Sequence, residues 1–431
     1  MIALINLIRL KLLFLVLLPL ALINKEKSVF YFLKLSGPSF IKLGQALSTR
    51  PDLIGVSLSR VLAKFQDKCD PFSSQEVKQI LLKEYGPKLD DIFKEIDLQP
   101  VASASMAQVH CATLKMNNHK VALKVLRPNI SRIVARDIKT LNLLICIISI
   151  FSKFISKALN DISDLLKLVS VSEIDLLLEA SNAAKMKENL KEINGVYVPE
   201  VFWQYSSSNV LVLEWLDGIA FSDEKKIAHS SYNKKDIAKN LVISYFNQIY
   251  VDGFFHADMH PGNLILLENG DIGLIDFGIV GKIDKKTRNC IAEILIAYLD
   301  KDYDKVAKLH ILGNLVPNDT NVDGLAISCR KIGETIVGAN VKDVSAAKLL
   351  TSLIAMTKEY NVSTKPELLL LQKTALLVEG VGVILDPKLN MWDLAKPWVE
   401  NWAKSNIGFD AKIKDFICDF VDYLKNYQSK R

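Results

Sequence analysis

His256-Ala257-Asp258-Met259-His260-Pro261-Gly262-Asn263 leads into Leu264-Ile265-Leu266-Leu267, and Ile272-Gly273-Leu274-Ile275 leads into Asp276-Phe277-Gly278. Between the two apolar runs stands Asn269-Gly270, the strongest short-range signal for a two-residue hairpin turn. With that turn, 268 faces 271, 267 faces 272, and the pairing continues outward until Asn263 faces Asp276. Directly opposed residues carry Cβ atoms about 5 Å apart. Two oxygen donors at that separation suit a hard cation such as Mg2+, with triphosphate and water oxygens completing its octahedron. Asp258 would stand nearby as a base or a positioning carboxylate.

The order of these residues resembles protein kinases, in which a catalytic aspartate precedes a metal-binding asparagine and then an Asp-Phe-Gly aspartate. Upstream, Val121-Ala122-Leu123-Lys124 is similar to the kinase strand that carries the phosphate-binding lysine. Alternation along a strand puts Ala122 and Lys124 on one face, the short residue beside the adenine and the ammonium at the phosphates. Lys124 needs a carboxylate to orient it, and Glu179 is the candidate. Asp175 lies one helical turn before Glu179, and two like charges at that spacing repel unless a cation, Lys124 or Mg2+, sits between them. Glu173 has a second, local explanation, because Ser170-Val171-Ser172-Glu173 fits a helix capping box.

Other residues depart from ordinary kinases in one direction, toward the UbiB family. Lys42-Leu43-Gly44-Gln45 resembles its KxGQ motif and Glu173-Ile174-Asp175 its ExD motif, while Ala102-Ser103-Ala104-Ser105 stands where kinases carry a glycine-rich loop. Leu47-Ser48-Thr49-Arg50, Gln108-Val109-His110 and the wording of 256–263 fit the same family, and the likeness runs over residues 30–385. The resemblance implies an α+β, bilobal, protein-kinase-like fold. A KxGQ-bearing helical extension would lie over the active site, and the C-terminal lobe would be mainly helical. It implies ATP or ADP with Mg2+ as cofactors. The nucleotide would be cradled by Ala102, Ser103, Ala104, Ser105, Met106 and Ala107, continuing into Gln108, Val109 and His110. Ala122, Lys124, Glu214 and Leu216 would complete its surroundings, with Glu214 at the adenine hinge. Asp258 and Lys124 would be catalytic, Asn263 and Asp276 would hold the metal, and Glu179, Lys42, Gln45, Glu173 and Asp175 would support them. Alanine and serine restrict a loop that glycine leaves open, so nucleotide positioning is expected to differ from that of ordinary kinases. Lys42 and Gln45, at i and i+3, share a helix face.

Around this centre the chain divides into an apolar segment 1–25, a helical extension 26–98, a kinase-like lobe with a helical insert 99–216, a second lobe 217–390 and an amphipathic tail 391–431. Helix is expected over 38–50, 73–97 with a break at Gly86-Pro87, and 130–191, where the apolar run Leu141–Phe151 reads as core. The excess of 54 basic over 48 acidic residues is too mild and dispersed for a nucleic-acid footprint, but it suits an anionic membrane surface. The six cysteines lie far apart and form no Cys-x-x-Cys pair, so neither a zinc knuckle nor a dense disulfide scaffold is indicated and a reducing compartment is expected. Leu12–Ile23 is apolar and follows Arg9 and Lys11, as in a signal peptide, yet it lacks small residues at a cleavage site, so retention is expected. Its length of roughly 18 Å as a helix falls short of about 30 Å of hydrocarbon, which leaves an interfacial anchor, a span and a buried helix all open. The family's bacterial members usually end in two spanning helices, and no such stretch follows residue 390. The tail offers Trp392, Trp398 and Trp402 for core packing or surface contact.

The expected activity is that of an atypical kinase-fold phosphotransferase or ATPase at the cytoplasmic face of the bacterial inner membrane. It would support ubiquinone synthesis at the polyprenylphenol hydroxylation stage without performing the oxidation, because no flavin fingerprint, haem motif or facial metal triad is present. Expected partners are a membrane lipid or polyprenylated quinone precursor and the enzymes of quinone biosynthesis, with no nucleic acid. Two other readings are a nucleotide-binding scaffold and a protein kinase. Only Ile279–Ile283 separates Gly278 from a helix start at Asp284, which leaves no room for a peptide-docking activation segment.

Overall fold

The computed structural model describes residues 2–48, 54–62, 64–65, 70–151, 160, 163–164, 166–167, 174–337, 359–360, 366–387 and 391–406. The described strands are β1 Phe93–Ile96, β2 Ala102–Ser103, β3 Ala107–Leu114, β4 Lys120–Leu126, β5 Val196–Tyr197, β6 Val210–Glu214, β7 Gly218–Ala220, β8 Phe254–His256, β9 Leu264–Leu267, β10 Ile272–Leu274 and β11 Val280–Lys282. The chain forms two units: residues 1–184 with 199–215 and 277–279, and residues 185–198 with 216–276 and 280–431. Neither is one continuous stretch.

In the first unit an N-terminal set of helices, Ile2–Ile23, Lys25–Ser36, Pro38–Ser48 and Val56–Leu62, shares a core with helix Ile130–Phe151. Leu10, Leu33, Phe40, Leu43 and Leu62 meet Leu141 and Ile145 there, so the expectation of a core helix over Leu141–Phe151 holds on that face alone, while Ile147 and Ile150 are exposed. Pro38 opens its helix at the position where a missing N–H costs nothing. One buried carboxylate ties three helices together. Asp137, fully buried, accepts hydrogen bonds from Asn6 Nδ2 (3.1 Å), Ser39 Oγ (2.7 Å) and Arg136 Nη2 (2.8 Å). Arg9 donates to the Ser36 carbonyl at 2.7 Å and so closes the C-terminal end of the second helix, where a cation is favoured. The first helix is therefore docked through Asn6 and Leu10, while Leu12, Leu15, Val16, Leu22 and Ile23 remain exposed.

The sheet of this unit runs β1-β3-β4-β6, with β2 on β3. Its core face, Ala112, Leu114, Val121, Leu123, Val125, Val210 and Val212, packs with Val77 and Leu81 of helix Ser74–Tyr85. That helix starts in a capping box between Ser73 and Glu76 and stops at Gly86, as expected. The expected helix to residue 97 is corrected: Phe93–Ile96 is a strand paired with β3. A four-residue segment has little helical preference of its own, and an open sheet edge supplies its backbone partners.

The second unit carries a four-stranded sheet, β5-β10-β9-β7, and the two-stranded pair β11-β8. Helices Lys234–Phe246, Lys285–Leu299, Tyr303–Leu312, Val322–Val337, Pro366–Leu385 and Met391–Asn406 make up most of the rest. Asp284 caps the helix at Lys285 by accepting from Thr287 N, so the helix follows β11 at once. Trp398 stacks on Phe246 and Trp402 packs on Tyr250, with centroids 5.8 and 5.4 Å apart, which buries Trp402 and leaves Trp398 partly buried beside it. The described residues hold two helical stretches long and apolar enough to cross a membrane, Ile5–Ile23 and Glu367–Leu385.

Candidate active site

The second unit contains the His256–Asn263 loop. β8 brings in His256, which is fully buried, and its ring fixes the loop. Nδ1 accepts the Asp258 backbone N–H at 3.1 Å and Nε2 lies 3.0 Å from the Ile275 carbonyl, so the imidazole is neutral with its proton on Nε2. Burial holds its pKa below the ordinary histidine value, in agreement with that tautomer. Gln248, in a π-helical turn over Asn247–Asp252, accepts the His256 N–H at 2.9 Å and is itself fully buried. His260 Nδ1 accepts from Gly262 N at 3.0 Å, which turns its Nε2 toward Asp258 Oδ2, 3.8 Å away.

The hairpin forms where expected, but with another register. Leu264 faces Leu274, Ile265 faces Gly273 and Leu266 faces Ile272. The loop is three residues long, Glu268-Asn269-Gly270, closed by Leu267 N to Asp271 O (2.9 Å), with Gly270 left-handed at φ +86°. A three-residue loop with glycine in that last position competes with the two-residue Asn-Gly turn. The expected pairing is therefore corrected by one residue: Asn263 faces Ile275, whose N–H donates to the Asn263 carbonyl at 3.0 Å. A one-residue slip on a regular strand would send Asp276 to the opposite face. Asp276 instead leaves the strand at φ +61°, a conformation that costs a non-glycine residue on the order of 1–3 kcal/mol and is concentrated at functional sites. Asn263 is 6 % exposed, and its Nδ2 donates to the Asp258 carbonyl at 3.0 Å, which directs its oxygen away from that carbonyl. An oriented amide oxygen and a carboxylate on either side of one hairpin are a donor set that fits a hard cation.

Lys373 was not singled out from the sequence. It lies on Pro366–Leu385, and its Nζ donates to Asp258 Oδ1 at 2.6 Å. The available signal was a lone lysine within a long apolar run, set against the stretch 240–281 around the hairpin, which contains neither Lys nor Arg.

The first unit positions Lys124. β4 alternates as expected, with Val121, Leu123 and Val125 buried and Ala122 and Lys124 on the other face. Lys124 Nζ donates to both oxygens of Glu179, at 2.7 and 2.8 Å, and the Glu179 carboxylate is 2 % exposed. Asp175 is the cap of helix Leu176–Leu190, accepting from Leu178 N at 2.9 Å. Asn182, on the same helix, donates to the Phe277 carbonyl at 3.0 Å and so holds the backbone of Phe277. Glu173 and the capping box proposed for it lie outside the described residues.

The Ala102–Ala107 loop closes on itself, Ala104 N to Ala107 O at 2.9 Å, with Ser105 and Met106 buried at its tip. Arg127, also missed, pins it: the guanidinium donates to the Ala104 carbonyl (2.9 Å) and Ser103 Oγ (3.2 Å), and the Arg127 N–H donates to the Met106 carbonyl (2.8 Å). Register separates the remaining nucleotide candidates. Val109 faces Lys124 and lies on its side of the sheet, whereas Gln108 faces Val125 and His110 faces Leu123, on the core side. There Gln108 Nε2 donates to the Phe72 carbonyl (3.2 Å), and His110 Nδ1 bonds the Asp97 carbonyl (2.9 Å). Glu214 faces Val121, and its carboxylate accepts from Glu200 N at 3.0 Å. Leu216, in the second unit, covers Gly273. Lys42 and Gln45 are both half-buried on Pro38–Ser48, and the Gly44 between them faces the Phe65 ring.

An alignment model of the ABC1 atypical kinase-like domain matches residues 64–310, and one of the UbiB helical domain matches residues 329–390. A "Probable protein kinase UbiB" from Erwinia tasmaniensis is 38 % identical over 391 residues, 88 % of this chain and 70 % of that protein. The chain belongs to the UbiB family. Among solved structures, that of Mycobacterium tuberculosis Rv3197 in complex with erythromycin is similar in fold, with a TM-score of 0.56 at 23 % identity over 82 % of this chain and 90 % of that one. In UbiB terms Lys124, Glu179 and the 256–278 hairpin fall within the kinase-like domain, and Lys373 within the helical domain.

Proposed function

We propose that this UbiB-family chain is a Mg-ATP-dependent atypical kinase or ATPase that supports ubiquinone biosynthesis, at the polyprenylphenol hydroxylation stage and without doing the oxidation. The observation that carries the reading is the two-oxygen ion pair of Lys124 with the buried Glu179, because an ammonium so oriented is what phosphate binding requires of this strand. Lys124 would contact phosphate, Asn263 and Asp276 would hold Mg2+, and Asp258 would position the acceptor hydroxyl or water and take its proton. Magnesium, when bound, would neutralise charge on the phosphates. The exposed apolar side chains of Ile2–Ile23 favour work at a membrane surface, at the cytoplasmic face of the bacterial inner membrane, on or beside polyprenylated precursors and the enzymes that process them.

A second reading, a nucleotide-binding scaffold, is favoured by the closed loop that Arg127 pins, since a restrained phosphate loop suits retention more than turnover. A kinase with protein substrates is disfavoured by the immediate passage from β11 to the helix at Lys285. Phosphate release from Mg-ATP on anionic liposomes containing a prenylated phenol, beside Asp276→Asn, separates the first two. Stimulation by the lipid, lost in the variant, is expected; equal silence of both proteins with nucleotide still bound would replace the enzyme by the scaffold.

A further inference from the structure

We propose that Lys373 is the cation that meets the terminal phosphoryl group of the bound nucleotide, held for that task by Asp258. The inference rests on the function proposed above and adds a residue to it from the helical domain. Phosphoryl transfer spreads negative charge over three equatorial oxygens, and preorganised positive charge aimed at them is the strongest aid a site can offer. The hairpin region cannot supply that charge from its own sequence, because 240–281 holds Asp258 and Asp276 but no Lys or Arg.

Lys373 arrives from elsewhere in the same unit. Its Nζ lies 2.6 Å from Asp258 Oδ1, and the two side chains are 25 % and 20 % exposed, sheltered but open enough to meet a ligand. The helix that bears it carries only two other charged residues, Glu367 and Glu379, so the lysine interrupts an otherwise apolar surface. Its position is fixed by neighbours: Thr374 is fully buried, and the Tyr245 hydroxyl donates to the Leu371 carbonyl at 3.0 Å. A charge on a rigid helix, anchored on both sides, is placed more accurately than one on a loop. During transfer the acceptor oxygen bonds to phosphorus as the bond to the leaving diphosphate breaks, and the acceptor proton passes to Asp258. Lys373 keeps its own protons and neutralises the moving phosphoryl oxygens.

A clamp that only docks the helix on the loop would share this geometry, but it would not distinguish ATP from ADP. Calorimetric titration of the full chain with Mg-ADP and with the Mg complex of a β,γ-imido ATP analogue makes that distinction without turnover. Lys373→Met is expected to weaken the analogue about tenfold while ADP stays within about twofold, and Lys373→Arg to restore most of the difference. Equal affinities of Lys373→Met and wild type for the analogue overturn the proposal, as does an equal loss of both nucleotides with a lowered melting temperature. Wild-type protein that binds neither nucleotide would overturn the site reading itself, and this inference with it.

Discussion

Glu179 shows how a functional requirement becomes a stability requirement at one residue. Its carboxylate is almost wholly removed from water and is held by one ammonium through both oxygens. Removing one partner of a buried pair costs about 3–5 kcal/mol, whereas replacing both by apolar groups is often neutral. Lys124→Met is therefore expected to lower the unfolding free energy by about 3 kcal/mol, and Lys124→Met with Glu179→Leu to recover most of it. Urea denaturation of the two variants checks this; a double variant no more stable than the single one would show that the loss arises elsewhere. Asp276 presents the opposite case, a residue kept in a costly backbone conformation. The turn at φ +61° frees its carboxylate from strand alternation, which a regular extension of β10 would not do.

Among the elements, the Pro38–Ser48 helix shows why its motif contains glycine. A Cβ at Gly44 would come within 2.4 Å of the Phe65 ring, and that ring is stacked on Phe30 with centroids 4.4 Å apart, so it has little freedom to move aside. Gly44→Ala is expected to destabilise by about 1–3 kcal/mol despite the better helix propensity of alanine. A thermal melt would decide it, and an unchanged or raised midpoint would mean that the ring yields. Much of this element level was legible in the sequence. The β4 alternation, the helix start at Asp284 and the hairpin itself follow from local pattern, whereas the Lys124–Glu179 pair, 55 residues apart, was legible only through the likeness of 121–124 to the kinase lysine strand. The register was not legible, because a two-residue and a three-residue loop fit Glu268-Asn269-Gly270 equally well until the φ of Gly270 is known. Phe93–Ile96 was misread for a related reason, since its strand state is conferred by β3 and not by its own composition. Arg127 and Lys373 act across 23 and 115 residues of sequence separation, a distance that no local pattern encodes.

At the scale of the whole molecule, burial holds His110, His256 and His310 below the ordinary histidine value of about 6.5. For each, the unfolded chain takes up a proton before the folded chain does, so the full stability is present above about pH 6.5 and is lost as pH falls toward the folded values. Asp252 acts in the other direction: burial pushes its carboxyl up to about 6, so its contribution recovers as pH falls through that value. Three imidazoles outweigh one carboxylate, and the urea midpoint is expected to be lower at pH 5.5 than at pH 7.5; an equal or higher midpoint at pH 5.5 would contradict this balance. Asp137 bears on the handling of the molecule in a different way. Its buried carboxylate draws one hydrogen bond from residue 6 and another from residue 39, so the first turns of the chain are wired into the interior that also seats the KxGQ helix. Anyone trimming the oily first helix to obtain a better-behaved sample, starting for instance at Lys25, would remove Asn6 and Leu10 together. The surface would become less greasy, while the helix that carries Lys42 and Gln45 would rest on a core opened from below.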